Sequence, residues 1–151
     1  MAIFLGKWYY ELELLNNNLY QVGWVNYLYK SNPTEGKGVG DCAHSWAVDL
    51  YRNAKWHEQE DGLTSRLPYG VGRSWSTGGI LGCYLNIDEN IMWFTYDGDD
   101  LGIAFDDFKV GRGMRPGFST HLQQEARFNF GAKPFRHQPV TGYNGLVISF
   151  F

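Results

Sequence analysis

Cysteine is scarce in this chain: Cys42 and Cys83 are the only two among 151 residues. Two cysteines cannot build a disulfide scaffold. Cys83 stands in an apolar, strand-like run, so a buried free thiol is expected, and with it a cytoplasmic compartment. Long apolar runs are missing too. No stretch approaches the roughly 18 apolar residues that a membrane helix needs. Met1–Leu5 is too short for a signal peptide and has no small-residue cleavage site after it. Positive charge is in deficit, with 13 Lys and Arg against 16 Asp and Glu and a net charge of -3. Nucleic acid wants a basic patch, so that class of partner is not expected. Helical periodicity is absent except for a single turn near 105–108. The four histidines, His44, His57, His121 and His137, are scattered, with no metal-helix spacing and no cysteine beside them.

Glycine and aromatics are abundant: 19 Gly and 17% Phe, Trp and Tyr. Both suit many strands joined by tight turns. In residues 7–15, Trp8, Tyr10, Leu12 and Leu14 alternate with Lys7, Glu11 and Glu13, which predicts a half-buried strand. Asn16-Asn17-Asn18 is a turn, and Tyr20, Val22 and Trp24 alternate in 19–25, so 7–25 reads as a hairpin. Further strands are expected over 45–52, 80–88, 91–96, 101–105, 115–121 and 125–131, with Asp88-Glu89-Asn90 and Asp97-Gly98 as turns. Residues 26–44 and 53–79 read as long irregular loops, which in a small domain are usually functional or mobile. The inward faces carry Trp8, Tyr10, Trp24, Trp46, Phe94, Phe128 and Phe130 as core. The class that follows is all-β: one antiparallel β-sandwich over 1–151 with little or no helix.

Chemistry-bearing motifs are weak. Asn86-x-Asp88-x-Asn90 has the start of a calcium loop, but Ile91 occupies the position where the tight turn needs Gly, and a plain β-turn accounts for it. Gly36-Lys37-Gly38-Val39-Gly40 lacks the Gly-Lys-Ser/Thr ending of a phosphate loop, so a flexible loop is expected. Asp97, Asp99, Asp100, Asp106 and Asp107 are solvated turn acids. No pair of acids or His dyad suggests an enzyme, and no cofactor is expected.

Five runs, in order, carry a resemblance. They are Gly6-Lys7-Trp8-Tyr9-Tyr10-Glu11, Val22-Gly23-Trp24, Ser45-Trp46-Ala47-Val48-Asp49, Gly82-Cys83-Tyr84-Leu85-Asn86-Ile87-Asp88 (Asn86 in place of the usual first Asp) and Leu101-Gly102-Ile103-Ala104-Phe105. With the closing Phe128-Asn129-Phe130-Gly131-Ala132-Lys133-Pro134-Phe135, the chain resembles the SPRY domain family over 6–137. It is nearest to the SPRY domains of RING-finger ubiquitin ligases and more distant from those of ryanodine receptors. The resemblance implies a β-sandwich that binds short peptides or protein loops on variable loops at one end. Its place would be partner selection in a larger assembly such as a ubiquitin ligase; the alternative is a scaffold domain packed within a large protein such as a channel. A sugar-binding jelly roll shares the strand pattern. The family carries strands ahead of the Gly-Lys-Trp run, where five residues stand here. Either a preceding segment is missing from this chain or another takes its place. The candidate is Leu146–Phe151, within a strand-like extension over 140–151.

The resemblance also places a contact aromatic just after the Ser-Trp-Ala-Val-Asp-Leu-Tyr-Arg-Asn run. The matching position is Trp56, flanked by Lys55 and His57. A polar pair before the final Phe-x-Phe corresponds to Thr120 and His121. Composition alone adds Tyr29 and Trp75, aromatics in polar or Gly-rich surroundings like those of Tyr27 and Tyr69, because Trp and Tyr make strong interface anchors. A protein or peptide ligand is the expected partner.

Overall fold

The computed structural model describes residues 2–58, 64–70 and 72–147. Among them eleven strands form two sheets, one in each of two compact units. The expected all-β, antiparallel two-sheet class is the one observed. Unit 1 comprises residues 1–4, 18–75 and 109–124; unit 2 comprises 5–17, 76–108 and 125–151.

In unit 2, β1 (Lys7–Leu14) lies between β10 (Ala126–Asn129) and β6 (Ile80–Asn86), and β7 (Ile91–Tyr96) and β8 (Asp99–Phe105) follow. β11 (Asn144–Gly145) pairs with the start of β1 in parallel. The β7–β8 turn is Asp97-Gly98, both at positive φ (49° and 85°), as a two-residue hairpin of the mirrored type requires. Cys83 is a fully buried free thiol on β6, and burial raises its pKa.

β1 is covered on both faces. Tyr10, Leu12 and Leu14 are inaccessible on one face, as expected, and Trp8 is half-buried. The other face was expected to be polar and solvated, yet it holds buried Tyr9 and Glu11. The reason is the segment after β10, whose backbone lies over this face. Glu11 accepts hydrogen bonds from the Arg136 and His137 amides at 2.9 and 2.8 Å and from the Tyr9 hydroxyl at 3.1 Å. Phe135 meets Tyr9 edge-on at 4.8 Å. The closing strand expected over 146–151 does not appear at 146–147, which form a bend after β11 (144–145), although the Val147 amide donates to the Phe130 carbonyl at 2.9 Å. Residues 148–151 lie outside the described residues.

In unit 1 the sheet order is β5 (Thr64–Pro68), β4 (Ala54–Glu58), β3 (Ser45–Asp49), β2 (Tyr20–Asn26), β9 (Met114–Thr120). β2 and β3 approach closely at Gly23, where a Cβ would stand 2.0 Å from the Trp46 carbonyl oxygen. Ile3 pairs with Met114 beside β9.

Four expectations change. β1 and β2 are joined by the Asn16–Asn18 turn but belong to different sheets, so 7–25 is not a hairpin. The stretch 53–79 contains the paired strands β4 and β5; residues 55–58 are half-buried and 66–68 exposed, which hides their alternation. No helical turn forms at 105–108. The 38–40 loop is packed: Val39 is buried, its amide donates to Ser119 Oγ at 2.9 Å, and the Gly40 amide donates to Ser45 Oγ at 2.8 Å.

Candidate functional site

Strand register in unit 1 sorts its side chains onto two faces, because paired residues share a face and successive ones alternate. Gly117, Gly23, Ala47, Trp56 and Arg66 stand in one row across the sheet. Val22, Val48, Lys55 and Leu67 stand in the next row, on the opposite face with Trp46.

Trp56 is the centre of the first face. Two guanidinium groups lie against its half-buried ring, Arg52 at 4.3 Å and Arg66 at 5.4 Å from the ring centroid. Arg52 is held by a salt bridge from its Nε to the fully buried Asp49, whose other oxygen accepts the Arg52 amide at 3.2 Å. The Trp56 indole N–H is buried and has no hydrogen-bond partner among the described residues. Such a donor costs about 1–3 kcal/mol while it goes unmet.

The Gly38–Gly40 segment crosses this face beside Trp56. A Cβ at Gly40 would stand 2.7 Å from Trp56 Cβ, and Gly40 has φ of +97°, so only glycine lets the strap lie there. On its other side Val39 packs with Val25 and Ala47, and half-buried Tyr29 covers the cluster. Tyr29 also lines a cavity of about 250 Å³ with Val25, Val39, Arg115 and Gly117. Burial, then the nearby Cys42 and Asp41, raise the Tyr29 pKa, so the phenol stays a neutral donor. The face therefore offers two aromatic stations, Trp56 and Tyr29, with a buried apolar strap between them and arginines at the rim. That arrangement suits a chain segment with apolar and acceptor groups, held by stacking and hydrogen bonds.

The family model for the SPRY domain matches residues 7–133. The chain belongs to the SPRY domain family. It is 34% identical over 148 residues to the E3 ubiquitin-protein ligase RKP of Arabidopsis thaliana, covering 96% of this chain and 11% of that protein. It is 32% identical over 141 residues to the probable ATP-dependent RNA helicase ddx1 of Dictyostelium discoideum, covering 93% of this chain and 16% of the helicase. To the ATP-dependent RNA helicase DDX1 of Xenopus laevis it is 28% identical over 151 residues, 93% of this chain and 17% of that protein. The chain thus spans less than a fifth of the relatives it matches. SPRY domains are protein-interaction modules without catalytic function of their own. No helix among the described residues is long and apolar enough to cross a membrane.

The SPRY fold separates the residues expected to form one site. Trp56, Lys55 and His57 lie on a strand rather than a loop, so Trp56 faces one way and its two neighbours the other. His57 stacks on Trp46 (4.7 Å between centroids, 10° between planes), and its Nδ1–H donates to the Ser45 carbonyl at 2.9 Å. Burial lowers its pKa. Thr120 pairs with Tyr20 at the end of β9, on the Trp46 side, and its hydroxyl donates to the Leu19 carbonyl at 2.8 Å. That is three strand spacings from Trp56, about 14 Å across the sheet. His121 is exposed just beyond. Trp75 is buried at 2% exposure and meets Tyr20 edge-on at 6.0 Å. Tyr29 shares the Trp56 side, whereas Lys55, His57 and Thr120 lie on the other face. Sequence reasoning missed Arg52, Arg66 and Val39. The Gly-x-Gly bracket around Val39 was the available signal, since glycines on both sides of an apolar residue allow a close backbone crossing.

Proposed function

We propose that this SPRY domain docks an extended peptide or loop of a partner protein across the Trp56 side of its five-stranded sheet. Its larger role is partner or substrate selection in an assembly such as a ubiquitin ligase, in the cytoplasm, where both thiols stay reduced. The observation that carries the reading is the half-buried Trp56 ring at the centre of this face, with the Arg52 and Arg66 guanidinium groups 4.3 and 5.4 Å from its centroid. The accessible part of the Trp56 ring is the first anchor for the incoming segment, Tyr29 takes a second, and Arg66 and Arg115 hold acidic groups at the rim. Thr120 and His121 belong to a separate edge that a longer segment reaches.

The test is selection of binding peptides from a displayed library against the domain, repeated with Trp56→Ala and Arg66→Ala. Loss of the Trp56 anchor costs about 2–4 kcal/mol of binding. A thermal melt of each variant accompanies the selection. Unchanged binding by both folded variants overturns the site. If Trp56→Ala unfolds, Arg66→Ala, which alters an exposed side chain, decides.

A second reading, a scaffold domain packed against its own long chain, is favoured by the small share of its relatives that the chain spans. Its signature is that the library yields no peptide while the domain binds segments of its own parent protein.

A further inference from the structure

Unit 2 carries a surface of different chemistry. Trp93 on β7 pairs with Tyr84 on β6 and Ile103 on β8, so the three share a face. Tyr84 stacks on Trp93 at 3.7 Å and 14°. Tyr143 stands upright beside them, 4.9 Å from Tyr84 and 5.9 Å from Trp93, and its hydroxyl accepts the Trp93 indole N–H at 3.0 Å. Those three separations form a nearly right-angled triangle with its corner at Tyr84. Tyr143 therefore lies off the edge of the stack, not above Trp93. Trp93 also lines a recess of about 280 Å³, bordered by Ile91 and by Ile103, which is 56% exposed.

Two carboxylates line the same recess, Glu89 and Asp100. Neutral donors hold both in place: Asn86 Nδ2 donates to Glu89 at 3.0 Å, and the Gly102 amide donates to Asp100 at 2.7 Å. Neither carboxylate takes part in the ion pairs Lys37–Glu35, Arg52–Asp49 and Arg127–Glu13, and neither has a cationic partner among the described residues. The cluster's own cation, Lys7, lies over the Tyr143 ring at 6.0 Å.

We infer that this recess receives a basic side chain, an arginine, from a partner protein. An indole in the wall of a recess attracts a cation through its quadrupole, and the two fixed negative charges beside it strengthen that field. A guanidinium is planar and weakly hydrated, so it stacks on the indole while donating sideways to carboxylates; an ammonium cannot do both. Ile91 and Ile103 take the methylene stem. The Trp56 side presents arginines, so the two surfaces suit partner groups of opposite charge. This inference does not rest on the Trp56 reading.

The probe is the blocked tripeptide Gly-Arg-Gly, titrated into the whole chain and followed by the Trp93 indole N–H resonance in NMR. The same tripeptide with citrulline, the neutral isostere, and one with lysine serve as the other arms. The arginine peptide is expected to shift the Trp93 resonance, more weakly at high salt, and the citrulline peptide to leave it in place. In the double variant Glu89→Gln, Asp100→Asn each amide keeps an oxygen for the existing hydrogen bond and only charge is lost, so the fold is retained. Its affinity for the arginine peptide falls about tenfold. Equal shifts from citrulline, an undiminished double variant, or lysine binding as tightly as arginine overturns the assignment. Trp56→Ala is expected to leave this titration unchanged, which separates the two surfaces.

Discussion

His57 shows how one residue's role turns on which way its strand faces. Its ring lies flat on Trp46, and its Nδ1 proton is committed to the Ser45 carbonyl. Burial disfavours the imidazolium, so the folded-state pKa lies below the ordinary value of 6.5. The unfolded chain then binds the proton more readily. His57 contributes its full stability above the unfolded pKa and loses it progressively as pH falls from about 6.5 through the folded pKa. The urea midpoint of the wild type is expected to drop between pH 7.5 and 5.5, and His57→Gln should flatten that drop; an equal drop in both places the titration elsewhere. Read as a sequence, His57 was a flank of Trp56. Its inward face followed only from the register of β4 on β3.

Among elements, β1 is the one whose pattern misled most. Its alternation correctly marked Tyr10, Leu12 and Leu14 as buried. Glu11 reads as a solvent residue because a single strand gives no sign that a segment some 125 positions later will cover it. In the structure its two oxygens accept two backbone amides of that segment, one each. Glu11→Gln replaces one acceptor by a donor and sets N–H against N–H. It is expected to cost about 1–3 kcal/mol and to raise hydrogen exchange at Arg136, His137 and Val140 above that at β6. A variant whose exchange rises uniformly, or not at all, shows that Glu11 does not pin the segment. The β7–β8 hairpin is the opposite case: Asp97-Gly98 is a local signal, and it was legible because a two-residue turn depends only on its own backbone angles.

In the whole molecule the chain crosses between the two units five times, since unit 1 holds residues 1–4, 18–75 and 109–124 and unit 2 holds the intervening stretches and the C-terminal one. No single cut separates them, so folding as one cooperative body is expected. Urea transitions followed by far-UV circular dichroism, by tryptophan fluorescence and by labelling of the Cys83 thiol should coincide. Cys42, half-buried, is expected to label before unfolding. Separated transitions would divide the chain into two domains. The sequence by itself determined the class, the family, most strand positions and the tight turns, because alternation and turn chemistry are read over a few residues. Tertiary structure alone decided that β1 and β2 part into different sheets, that Glu11 is covered, and that Trp56 turns away from Lys55, His57 and Thr120 toward Tyr29, Arg52 and Arg66. Those outcomes depend on strand partners and register, and a shift of one residue in register sends every side chain of a strand to the other face.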